Sequence, residues 1–432
     1  MTTRRFVLAA GGSLALPLFA GAAALDPYNA LLTGDGDPNA ALPALAGCAF
    51  DRGGDRFRLA RGLADVTNGR AMTPTSPARI ASISKLVAAL GFMTLVEAGK
   101  VGLDDDAGEI LGFPLRHPRF PAARITPRQL LSHTSGLRNG PSYPVAFGRP
   151  LSAALAPGGV QWDDGAWFGP ATESPGDWFA YADVNYALVA QLIEAVSGER
   201  FDRFMARVVF APLGLSCGYN WSGVPQDVRD RRAVLYRKAP SDDGPWDAKG
   251  PWIAQLDAAV PPAPEPAVRT APEAAGRSLD SYRPGENGFV FGPQGGLRAS
   301  VMDLAVIGRV LLAKGAPILK PATFVRMTAP AWRFDPKHPN GEGYGGLIAA
   351  YSLGVQTLTG GTGDNVFDGC ASWFGHAGDA YGLTSGLWVD PRSGRGIAYL
   401  ITGQAAPLKT NKGRSMLTRQ EERLASLLIE AF

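Results

Sequence analysis

The chain has 432 residues, of which 46% are hydrophobic and 19% charged, with a formal net charge of +3. That balance describes a folded protein with a full core and excludes a disordered one. So small a charge, with no basic tract, excludes nucleic acid and an anionic membrane as electrostatic partners. With 54 glycines and 35 prolines, the chain reads as a loop-rich fold rather than a helical bundle.

Arg4 and Arg5 precede an uncharged stretch from Ala9 to Ala24 that ends in three alanines. A basic start, a short apolar stretch and small residues predict a secretory signal over residues 1–24, and the paired arginines suit the twin-arginine route. Pro17 and the shortness of the stretch argue against a membrane anchor, and no cysteine follows for lipidation. The expectation is cleavage near Ala24 and release into a bacterial periplasm, with no membrane span left afterwards.

Residues 46–51 and 56–62 read as two short strands around Gly53 and Gly54. The pattern then becomes helical. Residues 85–98 are apolar on nearly every face, predicting a buried helix stopped by Gly99. Further helices are expected near 127–132, 184–196, 200–208 and 301–313, the last capped by Ser300 with Asp303 three residues on. The segment 221–292, with Pro261, Pro262 and Pro264, shows little periodicity and is too long for an idle loop. It should border a cleft or form a surface excursion. Strand patterns return at 352–357, 383–389 and 396–402, and 417–429 is an amphipathic closing helix.

Strands at both ends with helices between predict an α+β fold. One antiparallel sheet is built from about 42–75 and 344–432, a helical region about 76–343 is inserted beside it, and residues 25–432 form one domain. There is no internal repeat.

The three cysteines, Cys48, Cys217 and Cys370, allow at most one disulfide, whose pairing the sequence leaves open. Cys370 reads as a small buried residue rather than a nucleophile. The four histidines are scattered, and neither HExxH nor CxxC occurs, so no metal or other cofactor is expected.

Ser82-Ile83-Ser84-Lys85 opens the buried helix. A spacing of three places Ser82 and Lys85 one turn apart on one face, so hydroxyl and amine can meet. The helix N-terminus favours an alkoxide and a tetrahedral oxyanion. The apolar setting disfavours an ammonium, which should push Lys85 towards a neutral base. SxxK alone is weak, because it also describes an N-cap with a surface lysine. Three further motifs accompany it: Phe179-Ala180-Tyr181-Ala182-Asp183 before a helix; Ile125 to Leu137 with Ser132-His133-Thr134-Ser135-Gly136; and Gly295-Gly296-Leu297. A fourth, Trp373-Phe374-Gly375-His376-Ala377-Gly378, leads through a His-Ala-Gly turn into a strand.

Arg79 to Lys85, Ile125 to Leu137, Gly295-Gly296-Leu297 and the His-Ala-Gly turn, four motifs in this order, make the chain resemble the serine β-lactamase and penicillin-binding protein superfamily, on its class C and esterase-like side. The resemblance spans nearly the whole chain after the signal. It implies that Ser82 is the acylated nucleophile and that Lys85 and Tyr181 share its proton, with either as the base. It implies that the backbone N–H groups of Ser82 and Asp379 form an oxyanion hole beside Gly378. Asp183 stands where the Tyr-x-Asn motif usually has Asn, and it could equally be the N-cap of the following helix. His376, Ala377 and Gly378 match the Lys-Thr-Gly motif with His for Lys, and a role for His376 in the cleft is expected over a structural one. His133 and the Ser135-Gly136 turn read as structural.

Gly214-Leu215-Ser216-Cys217-Gly218 fits the GxSxG elbow, which needs a strand before it and a helix after it. Pro212 precedes and Trp221 to Gly223 follow, so Ser216 reads as a loop residue. The resemblance implies an exported serine hydrolase that cleaves an ester or amide through a Ser82 acyl-enzyme. A true class C β-lactamase or D-alanyl-D-alanine carboxypeptidase is the alternative among enzymes, and a silent binding protein the alternative outside them. The departures at His376, Ala377 and Asp379 argue against substrates with a carboxylate. Arg269, Arg277 and Arg283 are the candidates to restore the missing positive charge.

Overall fold

The computed structural model describes residues 26–241, 244–410 and 412–432; the expected signal segment lies outside them. Nine strands form the main sheet: β1 Ala44–Asp51, β2 Gly54–Asp65, β3 Arg70–Ala71, β4 Trp332–Arg333, β5 Ala350–Tyr351, β6 Gln356–Thr357, β7 Phe374–Ala380, β8 Leu383–Asp390 and β9 Arg395–Ile401. Their order across the sheet is β3-β2-β1-β9-β8-β7-β6-β5-β4, and every pairing is antiparallel. The first and last parts of the chain meet where β1 pairs β9, Leu45 opposite Ile401 and Asp51 opposite Arg395. That junction is what the terminal strand patterns predict.

The period of two along β1 builds two cores. Ala44, Ala46, Cys48 and Phe50 join the larger one on one face, while Leu45 and Ala49 join Trp388, Tyr399 and Leu428 on the other. Helices cover both faces, so the central strands are apolar throughout rather than alternating with polar residues. On the larger core lie α1 Ile83–Glu97 and α3 Val301–Leu312; α4 Arg419–Glu430 packs on the opposite face. Close approach requires glycine at Gly308, where an added Cβ would fall 2.2 Å from Phe50. The helix α2 Val184–Ser197 packs against α1 inside the helical region.

Residue chemistry sets the helix ends. Ser300 and Asp303 form a reciprocal capping box at α3, and Thr418 with Glu421 does the same at α4. Buried on nearly every face, α1 runs to Ala98 and leaves the helix at Gly99 with φ +67°.

Two expectations change, and a third gains detail. The stretch 352–357 is not one strand: Ser352 N–H donates to the Val355 carbonyl, and Gly354 at φ +77° turns the chain between β5 and β6. The His-Ala-Gly motif is not a turn leading into a strand but lies inside β7. The segment 221–292 carries its own structure. Its strands Leu235–Arg237 and Ile253–Leu256 form a small sheet with Gly403–Gln404, and Asp257 is fixed by Arg298 and Trp221. A cavity of about 160 Å³ behind it is lined by Arg79, Trp221, Asp257, Arg298 and Tyr381. Among the described residues no helix is long and apolar enough to cross a membrane, and no three metal-ligating side chains converge.

Candidate active site

The segment before α1 is held in an unusual conformation. Ala81 has φ +50°, a region that costs a non-glycine residue roughly 1 kcal/mol or more. It persists because the residues before it are pinned: Ile80 N–H donates to the Leu297 carbonyl, and Arg79 Nε donates to the Gly295 carbonyl at 2.8 Å. Leu297 N–H in turn donates to Ser84 Oγ at 3.1 Å, and the Tyr219 hydroxyl to the Ser84 carbonyl at 2.7 Å. The Gly295-Gly296-Leu297 motif thus clamps the turn that presents Ser82 at the head of α1.

One helical turn on, Lys85 is wholly buried. Its ammonium donates to Ser82 Oγ at 3.1 Å and to the Gln294 carbonyl at 2.7 Å, and it pairs with Asp183 Oδ1 at 2.8 Å. Three acceptors around one nitrogen are the complement of a charged –NH3⁺, not of a neutral amine. Burial by itself lowers the Lys85 pKa, but Asp183 and Tyr181 outweigh it and the net shift is upward. The expected neutral base is therefore corrected: Lys85 rests as a cation because a carboxylate shares its dry environment.

Tyr181 lies with Lys85 Nζ 4.7 Å from its ring centroid, and its ring packs at a tilt against that of His133, centroids 4.3 Å apart. Burial raises the phenol above its ordinary value, with Lys85 and Ser82 pulling the other way. Asp183 stands at the N-cap of α2 but makes no side-chain capping bond. Val184 N–H instead donates to Asn139 Oδ1 at 3.2 Å, so Asp183 occupies the N-cap position while its side chain is turned to Lys85. His133 is a support: its Nδ1 accepts from Ala182 N–H and contacts Asn185 Nδ2 at 3.1 Å.

Strand β7 forms the facing wall. An added Cβ at Gly378 would lie 2.6 Å from the Ile80 carbonyl and 2.4 Å from Ser385 Oγ, so glycine lets the strand approach the Ser82 turn. On its outer side β7 pairs with β6 only at Phe374 and Gly375. Gly378 and Asp379 therefore lie past the end of that ladder and line the cleft together with Ser82. His376 is buried, its Nε2 2.9 Å from the Tyr351 hydroxyl and its Nδ1 2.5 Å from the Ala377 carbonyl. Burial pushes its pKa down to about 3, so it is neutral.

The cleft of about 320 Å³ is lined by Ser82, Tyr181, His376, Gly378 and Asp379. Apolar walls come from Tyr344, Leu347, Ile348, Leu408 and Leu417, with Glu421 at the foot of α4. Among the described residues that line it none is lysine or arginine. Arg277 is paired with Glu286 at 2.6 Å, and neither it nor Arg269 nor Arg283 reaches the cleft, so the arginine expectation is corrected. Ser216 is an exposed loop residue after a 3-10 turn, with no strand before it and no helix after it. The three cysteines are free and buried.

Sequence reasoning did not find Tyr143, which holds Asp183, Tyr351, which holds His376, or the Gln294 carbonyl. Gln294 adjoins the Gly295-Gly296 motif and was within reach. The two tyrosines sit in stretches with no distinguishing pattern.

This fold is that of the β-lactamase and transpeptidase class of serine hydrolases. A family model described as Beta-lactamase matches residues 26–418, and the chain belongs to that family. Penicillin-binding protein 4* of Bacillus subtilis (strain 168) is 30% identical over 173 residues, which is 38% of this chain and 35% of that protein. The match thus spans about a third of that curated relative's length. Among solved structures, a D-amino acid amidase from Ochrobactrum anthropi SV3, complexed with L-phenylalanine amide, superposes with a TM-score of 0.62 at 19% identity. The superposition covers 94% of this chain and 99% of that one. EstCE1, a hydrolase with promiscuous acyltransferase activity, gives 0.61 at 20% identity over 92% and 95%.

Proposed function

We propose that this protein is an exported serine hydrolase that cleaves an ester or amide through an acyl-enzyme on Ser82. The observation that carries the reading is Ser82 Oγ 3.1 Å from Lys85 Nζ at the head of a buried helix, open to the cleft. Ser82 Oγ attacks the substrate carbonyl carbon and its proton passes to the Lys85–Tyr181 unit. The tetrahedral oxyanion is met by the backbone N–H groups of Ser82 and Asp379. As the ester or amide bond breaks, the leaving oxygen or nitrogen takes the proton. Water then attacks the acyl-enzyme along the reverse path, releasing the acid and free Ser82.

Because Lys85 rests protonated and Tyr181 neutral, the unit must first give up one proton to act as a base, and the base form grows with rising pH. The cleft's apolar walls suit an uncharged acyl or leaving group. Its carboxyl groups, Asp379 and Glu421, suit a substrate that is neutral or carries an amine. The D-amino acid amidase among the structural neighbours is consistent with the latter. The basic and apolar segment 1–24 supports export by the twin-arginine route, with residues 25–432 as the hydrolase domain.

The test is labelling with a fluorophosphonate probe. Ser82→Ala should abolish labelling and turnover while the fold persists. Labelling that survives in Ser82→Ala and disappears in Ser216→Ala would overturn the assignment, and a wild type that is never labelled would favour a silent binding protein.

A further inference from the structure

The Lys85–Asp183 pair has a third member from outside every motif. Tyr143 lies in the loop between Asn139 and Arg149, and its hydroxyl donates to Asp183 Oδ2 at 2.7 Å while Asp183 Oδ1 faces Lys85 Nζ at 2.8 Å. Each carboxylate oxygen thus has its own partner, one from the loop and one from α1. The Asp183 side chain is 27% exposed and makes no capping bond to α2. The contacts with Tyr143 and Lys85 are what hold it against swinging to solvent. Tyr143 itself is held, its ring packed edge-on against Phe289 at 5.5 Å. From the loop, Asn139 Oδ1 caps α2 through Val184 N–H, so one loop fixes both the start of α2 and the carboxylate on it.

We propose that Tyr143 is a positioning residue. It anchors Asp183 so that the carboxylate stays on Lys85, and it thereby sets the protonation state of the Ser82–Lys85–Tyr181 unit. This rests on the catalytic reading above. Without the hydroxyl, Oδ2 loses its donor, water competes for the partly exposed carboxylate, and the Lys85 ammonium loses part of its countercharge. The groups facing Asp183 are Lys85, Tyr181, Tyr143, Tyr344 and Tyr351. Those facing Lys85 add His133, His376 and Tyr186, the last a buried phenol held well above its ordinary range. Both histidines are buried and neutral across the working range, so they contribute a constant background rather than a titration.

The experiment measures the rate of fluorophosphonate labelling and of p-nitrophenyl acetate hydrolysis against pH in the full chain. Tyr143→Phe is expected to move the rising limb to lower pH and to lower the plateau about tenfold, the scale of one charge-assisted hydrogen bond. In an Asp183→Ala background the same substitution should change neither quantity, because its target is gone. A Tyr143→Phe limb and plateau like wild type, with unchanged thermal unfolding, would defeat the proposal, and so would an undiminished effect in Asp183→Ala. Should Tyr143→Phe not fold, Tyr143→Gln and Tyr143→Leu, alike in size and differing in the donor, answer the same question; an identical limb in both defeats it. A wild type that labels away from Ser82 tells against the catalytic reading instead.

Discussion

Lys85 Nζ and Asp183 Oδ1 are 2.8 Å apart, with the lysine side chain wholly buried and the carboxylate partly open to solvent. This contact holds a proton on the one amine that could deprotonate Ser82. Asp183→Asn removes the negative charge that favours the ammonium and disfavours the Tyr181 phenolate. Both groups then lose their proton more readily, so the rising limb of kcat/KM against pH is expected to move to lower pH. A limb that stays in place would show that Asp183 does not set the protonation of the unit.

Lys85→Ala and Tyr181→Phe are each expected to lower kcat by about 10² to 10⁴, the usual contribution of a positioned acid or base. The double variant should be little worse than either alone, since both act on the same proton. Multiplication of the two losses would mean that the residues work independently.

At Gly378 the limit is steric. Alanine there would place Cβ 2.4 Å from Ser385 Oγ and 2.6 Å from the Ile80 carbonyl, so β7 or the Ser82 turn must shift. Gly378→Ala is expected to reduce kcat/KM by about a hundredfold, as a displacement near 1 Å commonly does, and to cost about 1–3 kcal/mol of stability. Thermal unfolding measured beside the kinetics separates the two effects, and near-wild-type values for both would contradict the close approach.

His376 gives a stability expectation with a definite sign. Its pKa is depressed by burial from the ordinary 6.5 to about 3, so the unfolded chain binds a proton where the folded one does not. Its contribution is present above about pH 6.5 and is lost as pH falls towards 3. Buried His133, held well below its usual range, acts in the same direction. Denaturation midpoints from pH 7 to pH 3 should fall less steeply in His376→Asn than in wild type; parallel curves would reject the assignment.

What could be read from the residues beforehand follows a physical division. The buried helix after Ser82 and the sheet joining both termini rest on periodicity, and the grouping of Ser82, Lys85 and Tyr181 on short motifs and the resemblance they carry. The charge on Lys85 was legible only in part. The apolar run around Lys85 shows the burial and points to a neutral amine, while Asp in the place of the usual Asn at position 183 points to a cation; the balance between them is set by a contact between residues almost a hundred positions apart. The break at Gly354 inside an apparently continuous strand is likewise decided by its turn. Tyr143 was hidden because a hydroxyl aimed at a carboxylate leaves no trace in the spacing of a loop.

The remaining expectation concerns substrate charge. Relatives that recognise penicillins hold a carboxylate with groups on the Lys-Thr-Gly strand, and here the matching strand offers His376, Ala377 and Asp379. His376 is neutral and committed to Tyr351 and its own backbone, Ala377 has no hydroxyl, and Asp379 places an exposed carboxyl group on the cleft. Glu421 adds a second carboxyl group to the wall, its pKa pushed up to about 8 by burial, with Asp379 contributing. A substrate carboxylate beside Asp379 would meet repulsion on the order of one to a few kcal/mol in a partly dry cleft. Neutral esters, and amides with a free amine, escape that cost. The measurement is kcat/KM for a neutral aryl ester and for a chromogenic cephalosporin, in wild type and in Asp379→Ser. The wild type should strongly favour the ester, and Asp379→Ser should improve the cephalosporin relative to the ester by about tenfold, the equivalent of roughly 1.4 kcal/mol. Efficient cephalosporin hydrolysis by the wild type would refute the charge argument, as would an Asp379→Ser variant with no relative gain on the anionic substrate.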